Sequence, residues 1–199
     1  MKTSFTQLRD TAYQMHIEIP YTKTELMEEL RSQDWQPDGD YSAENTLRFR
    51  LNDISGSKML SEIHDHIMSQ EFKFSIYDVM YSNETFKNSW GIPRYLMDYR
   101  TTTFCSFILD KPKFYSPMHI DQRGLVVSGM VYFIEDDETD KVTTFYTDKE
   151  KSNPIAVKPG FGQGWATGNA SDTWHDGGNF GTTDRYCILY GMTLNFFNA

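Results

Sequence analysis

At 199 residues the chain is about 1.3 times the ~150-residue domain prior, which favours one domain with a full core and no need of metal or disulfide staples. Its 39% hydrophobic and 15% aromatic content excludes disorder, and a net charge of −9 with a pI near 5 argues against an electrostatic grip on nucleic acid or anionic lipid. With Cys105 and Cys187 as its 2 cysteines, no apolar leader in MKTSFTQLRDTAYQM and no apolar run near the ~20 residues a membrane span needs, a soluble, cytoplasmic protein is expected.

In chain order, Thr22 and Glu25 have capping-box spacing and Leu26 and Leu30 follow four apart, which predicts a helix over 23–34. Leu60, Ile63 and Ile67 share one face of a second helix over 57–69. Strand patterns cover 14–19 and 46–51, and a third covers 71–77 (EFKFSIY). The aromatic-rich stretch 81–98 reads either as a lid over a substrate or as the connection between two halves. Beyond it nearly everything reads as strand: 99–109, 118–121, 124–134, 142–147, 155–158, 162–166, 172–175 and 185–197, broken by Gly, Pro, Asn and Asp clusters. So many short strands at this spacing predict a mainly β fold with flanking helices, an antiparallel sandwich or jelly roll. One domain over 1–199 is expected, with a mixed α/β support region over 1–98 and the β core over 99–199. The acidic run EDDETD at 135–140 lacks the Gly-centred spacing of a calcium loop and reads as a solvated hairpin tip. Glycosylation-like triplets at Asn83 and Asn169 carry no weight without a secretory signal.

Among the 5 histidines, His16 reads as a structural strand residue, and His64 and His66 as a solvated helix face, since neighbours two apart on a helix point about 200° apart. His119 differs, because positions i and i+2 of a strand project to one face, so that His119 and Asp121 in MHID can address one metal ion together. His175 follows about fifty residues later at the end of a strand, and Arg185 opens the last strand ten residues further on. Two imidazoles and one carboxylate occupy one face of an octahedral metal and leave three positions open, which suits non-haem Fe(II) better than a closed zinc site.

The order His-x-Asp, about fifty residues, His, then Arg ten residues on resembles the Fe(II)- and 2-oxoglutarate-dependent oxygenases. The run of elements FYSPMHID, VYFIEDDE, VTTFY and VKPGFGQGWATG is similar to the prolyl 4-hydroxylase-like branch, over roughly residues 99–197. The resemblance implies a double-stranded β-helix, the cupin-like jelly roll, as a single oxygenase domain. It implies iron held by His119, Asp121 and His175, and the distal carboxylate of 2-oxoglutarate held by a bidentate fork from Arg185. Tyr115 is the candidate second contact to that carboxylate, ahead of Tyr99, and Trp165 a candidate for the barrel mouth. The reaction implied is hydroxylation of an unactivated C–H bond with dioxygen, as 2-oxoglutarate is decarboxylated to succinate. Where many relatives carry Gly-Gly-x-Thr this chain has Lys141, Val142, Thr143 and Thr144, and where several place Ser after the Arg it has Cys187, read as a small core residue. Gly191 stands where nucleic-acid demethylating relatives carry a second arginine, a further argument against a nucleic-acid substrate.

A peptidyl or a small-molecule substrate both remain open, and oligomeric state is not readable. Two rivals explain the same strands: a metal-free jelly-roll binding module, and a cupin-like metalloenzyme that does not use 2-oxoglutarate.

Overall fold

The computed structural model describes residues 1–38, 47–96, 101–121, 124–168 and 173–194. Tyr99, Asn169 and the ends of several expected strands lie outside the described residues.

Helix α1 (Lys23–Ser32) starts where the capping box places it, with Thr22 accepting from the Glu25 amide and Glu25 from that of Thr22. It buries Leu26 and Leu30. Helix α2 (Lys58–Met68) buries Leu60, Ile63 and Ile67.

The segment expected as a strand over 71–77 is instead part of helix α3 (Gln70–Met80). Ser69 caps it by accepting from the Phe72 amide, and Phe72, Ile76, Tyr77 and Met80 are buried along one helical face. The alternation Phe72, Phe74, Ile76 mimics a strand only if Phe74 is a core residue, and Phe74 is 38% exposed.

Helix α4 (Glu84–Trp90) follows, capped by Asn83, with Phe86 buried. The described part of 81–98 is therefore packed structure: Tyr81, Trp90 and Ile92 lie against the helical core.

The larger sheet has eight strands in the order β1-β2-β10-β7-β12-β5-β4-β3. These are β1 (Thr3–Arg9), β2 (Ala12–Ile17), β10 (Phe161–Gly168), β7 (Leu125–Phe133), β12 (Arg185–Leu194), β5 (Thr101–Asp110), β4 (Arg48–Arg50) and β3 (Gln36–Pro37). The smaller has four, β6-β11-β8-β9, namely β6 (Tyr115–His119), β11 (Trp174–Gly178), β8 (Thr143–Tyr146) and β9 (Ile155–Ala156). All recorded pairings are antiparallel. The first hundred residues thus supply strands as well as helices, and β1 was not anticipated.

Strand alternation splits the core in two. Val127, Val131 and Phe133 of β7, with Ile188, Tyr190 and Met192 of β12, meet the helices. Met130, Tyr132, Trp165 and Cys187 point the other way, toward Phe145 of the smaller sheet. The central strands β7 and β12 of the larger sheet are buried on both faces, as a jelly roll backed by helices requires. The acidic run overlaps a short 3-10 turn (Thr139–Lys141) and is held by two ion pairs, Glu135 to Lys23 and Glu138 to Lys141. Among the described residues no helix is long and apolar enough to cross a membrane.

Candidate metal centre and active site

His119 ends β6, and His175 lies opposite it on the neighbouring β11, their ring centroids 4.4 Å apart. Asp121 follows just past the strand. One ligand atom from each of the three lies within 4.8 Å of the others. His119 Nε2 is 3.5 Å from Asp121 Oδ1, and His175 Nε2 is 3.8 Å from Asp121 Oδ2. Each Nδ1 faces a backbone carbonyl two residues earlier, Pro117 O at 2.7 Å and Thr173 O at 3.0 Å. A carbonyl can only accept, so Nδ1 carries the hydrogen and Nε2 faces Asp121, with a lone pair in the neutral ring and a proton to donate in the charged one. That is how ligating histidines are oriented elsewhere.

The electrostatics agree. Burial alone would raise the Asp121 carboxyl, but the hydrogen bond from His119, the charge of His175 and the Ser128 hydroxyl hold it below the usual carboxylate range. His119 is raised, chiefly by its bond to Asp121, while burial pushes His175 down. The His119 side chain is 40% exposed and that of His175 only 5%, so the group is open on one side. Two imidazole nitrogens and a charged carboxylate, converging and open on one side, fit a divalent cation with free positions. Among the described residues this is the one cluster of three metal-ligating side chains so disposed. His16, His64 and His66 lie elsewhere; His66 bonds Thr3 Oγ1 and packs edge-on against Phe72.

A cavity of about 100 Å3 opens from the triad and is lined further in by Thr143, Trp165, Arg48 and Arg185. A larger cleft of about 530 Å3, between α1 and the 133–141 segment, holds none of the three histidine and aspartate ligands.

Arg185 is 1% exposed, and four of its five N–H donors are engaged. Nε, at 3.1 Å, and Nη2 both donate to Asp110 Oδ2, and Nη1 donates to Lys141 O at 2.9 Å and Gly178 O at 2.8 Å. The expected bidentate fork for an incoming carboxylate is therefore already taken by Asp110, leaving one N–H on Nη2. Asp110 stands 75 positions earlier, and no short-range signal announces it.

Thr143 was recorded in the sequence only as a departure from a motif, yet it faces the cavity. Trp165 Nε1 donates to Thr143 Oγ1 at 3.0 Å and to Tyr132 OH at 3.1 Å, and the two hydroxyls are 2.7 Å apart. Two hydroxyl protons share one contact, so one remains to donate elsewhere. Tyr132 is fully buried and Thr143 lines the cavity, so the remaining proton belongs to Thr143. Trp165, expected at the mouth, is 2% exposed and packs as a wall against His175 and Phe145.

Tyr115 is not brought to the cavity. The register runs His175↔His119, Gly177↔Ser116 and Gly178↔Tyr115, so β6 spends one more residue than β11 between Ser116 and His119. This bulge reverses the alternation. Ser116 therefore shares a face with His175 and lines the cavity, whereas Tyr115 shares one with Asp176 and donates to its Oδ2 at 3.4 Å. Tyr146 and Lys151 bond the same carboxylate. Cys187 sits inside the barrel, its thiol pushed up to about 12 by burial. A side chain at Gly191 would run into the Phe104 ring and Leu125, within 2.7 Å.

No protein-family model matches the sequence, and no curated protein matches it. Solved structures do. A prolyl-4-hydroxylase from Pseudomonas putida superposes with a TM-score of 0.61 over 93% of each chain at 13% identity. A prolyl hydroxylase from Trichoplax adhaerens, in complex with a hypoxia inducible factor peptide fragment, gives 0.56 at 12% identity over 92% of this chain and 84% of that one. The epimerase SnoN, in complex with Fe3+, alpha ketoglutarate and nogalamycin RO, gives 0.58 at 12% identity over 93% and 79%. The chain has the jelly-roll fold of the 2-oxoglutarate and Fe(II) oxygenases, and of their prolyl 4-hydroxylase-like branch.

Proposed function

We propose that this chain is an Fe(II)- and 2-oxoglutarate-dependent dioxygenase that hydroxylates a C–H bond of a peptidyl or small-molecule substrate. The observation that carries the reading is the convergence of His119, Asp121 and His175, one ligand atom of each within 4.8 Å of the others, at a cavity that Arg185 also lines. His119, Asp121 and His175 hold the iron, which with the bound cosubstrate and dioxygen supplies the oxidative chemistry.

The remaining steps belong to this chain's own side chains. The Pro117 and Thr173 carbonyls keep both imidazoles in the metal-binding tautomer. Arg185 bonds Gly178 O, three residues along β11 from His175, which is roughly 10 Å of strand, a separation suited to a five-carbon dicarboxylate. One Arg185 N–H and the Thr143 hydroxyl receive the distal carboxylate. Trp165 and Phe145 close the wall behind His175 and exclude water. Substrate enters on the exposed side of His119. The two kinds of substrate follow the neighbours, one bound to a peptide fragment and one to nogalamycin RO.

The test is anaerobic titration of the metal-free protein with Fe(II) and then 2-oxoglutarate, followed by the weak visible charge-transfer band of the chelate. The band is expected in the wild type and absent in Asp121→Ala. Iron uptake without a band would favour a cupin-like metalloenzyme of other cosubstrate, and no uptake would leave a metal-free binding module.

A further inference from the structure

The larger sheet lays a row of charge across three neighbouring strands. Asp110, at the end of β5, is in register with Arg48 of β4 on one side and Arg185 of β12 on the other. Cross-strand partners share a face, and this face is the one turned to the cavity, which both arginines line. The three are buried, at 4%, 0% and 1% exposure for Arg48, Asp110 and Arg185. Arg48 grips Asp110 with a fork, Nε to Oδ1 at 2.6 Å and Nη2 to Oδ2 at 2.9 Å. Its guanidinium also lies 4.0 Å over the Phe114 ring. Asp110 Oδ2 in turn receives Nε and Nη2 of Arg185.

Resting on the oxygenase reading above, we propose that Arg48 and Asp110 are positioning residues for the cosubstrate's distal carboxylate. Asp110 turns Arg185 so that its last N–H faces the cavity, and Arg48 holds Asp110 in that orientation. A carboxylate gripped from one side only is free to rotate about its Cβ–Cγ bond. It would then follow the arginine or swing away when a second carboxylate arrives. A planar fork on its far side removes that freedom, which a flexible ammonium cannot do. The aim of Arg185 is thereby set by a strand in the first quarter of the chain, outside the His-x-Asp…His…Arg pattern.

The consequence is selectivity. A site with a well-aimed anchor prefers 2-oxoglutarate to pyruvate, which shares the 2-oxo acid end but has no distal carboxylate. Loss of aim reduces that preference, whereas simple loss of stability weakens both acids alike. The measurement is the ratio of the pyruvate Kd to the 2-oxoglutarate Kd, by anaerobic calorimetry on the Fe(II)-loaded protein, with Fe(II) affinity and melting recorded alongside. Arg48→Met is expected to lower the ratio at least tenfold with Fe(II) affinity within threefold of wild type. Arg48→Lys should fall between, and Asp110→Asn should behave like Arg48→Met. A wild-type ratio in a cooperatively melting Arg48→Met protein overturns the proposal. If that variant does not fold, an unchanged ratio in both Arg48→Lys and Asp110→Asn does so. A wild type that takes up Fe(II) but shows no preference between the acids overturns the oxygenase reading as well, so the two failures are distinguishable.

Discussion

Burial of Asp110 between two guanidiniums ties its protonation to the stability of the fold. Desolvation pushes its carboxyl up, but the charges of Arg185 and Arg48 and their hydrogen bonds outweigh this and hold it below the ordinary value of 3.8. A depressed folded-state value means stability that is complete above the ordinary carboxylate range and is lost as pH falls through the folded value. The urea midpoint should therefore show no pH dependence from Asp110 between about pH 5 and 8, where its contribution is complete, and a loss below about pH 4. Asp110→Asn should cost about 3–5 kcal/mol at pH 7, because it breaks a buried ion pair from one side, and its midpoint should fall less steeply in acid. Equal acid slopes in the two proteins would sink this assignment. Thr143 makes a separate prediction at the same scale. Thr143→Val removes one hydroxyl bond to a charged group, about 1.5–3 kcal/mol, so the 2-oxoglutarate Kd should rise tenfold or more while Thr143→Ser stays near wild type. An unchanged Kd for the valine variant in an equilibrium titration would move the second contact elsewhere. The His119, Asp121 and His175 cluster was legible because i, i+2 geometry and one late histidine are sequence-local facts. The occupied fork of Arg185 was not, because its partner arrives through strand pairing alone.

Two elements show where local pattern stops being informative. Helix α3 was read as a strand because Phe72, Phe74 and Ile76 alternate, yet the helix buries Phe72, Ile76, Tyr77 and Met80 against the larger sheet. The capping serine was the overlooked signal. Ser69 closes α2, its own amide bonding His66 O, and opens α3 through its hydroxyl, so one side chain sets the joint between two helices. Ser69→Ala is expected to cost about 1 kcal/mol, within 0.5–2 for a lost N-cap, whereas Ser69→Asp should cost little. Urea denaturation checks both, and an alanine variant as stable as wild type would mean that packing alone holds the joint. The β6 bulge is the second case. A one-residue insertion in a ladder leaves no mark in composition, so the sequence does not show that Tyr115, the candidate the resemblance implies, lies on the face opposite His175. Helices α1 and α2 and the β core were legible, because capping boxes and short strands between Gly and Pro breaks are written locally. Strand β1, pairing along β2 at the sheet edge, was not.

At the scale of the whole molecule, the candidate ligands join the two sheets. His119 and His175 belong to β6 and β11 of the smaller sheet, while Asp121 is held by Ser128 of β7 in the larger one. Other contacts between the sheets include the inner core around Tyr132, Phe145 and Trp165 and the bond from Arg185 of β12 to Gly178 O of β11. A metal bound by the triad acts across that interface in the folded state and has no equivalent site in the unfolded chain, so binding free energy adds to folding free energy. At a free metal concentration of 100 times Kd the gain is about 2.7 kcal/mol. For a chain of this size each kcal/mol shifts the melting temperature by about 2–4 °C, so a rise of about 5–11 °C is expected. Mn(II) serves as a redox-inert probe, and adding a chelator should return the transition to its starting point. In Asp121→Ala the rise should vanish while the metal-free protein still melts cooperatively, since the inner core around Tyr132, Phe145 and Trp165 is untouched. A metal-dependent rise that survives Asp121→Ala would place the binding site elsewhere. No rise in the wild type would mean that the converging side chains hold no ion, and with it the case for an oxygenase would fall.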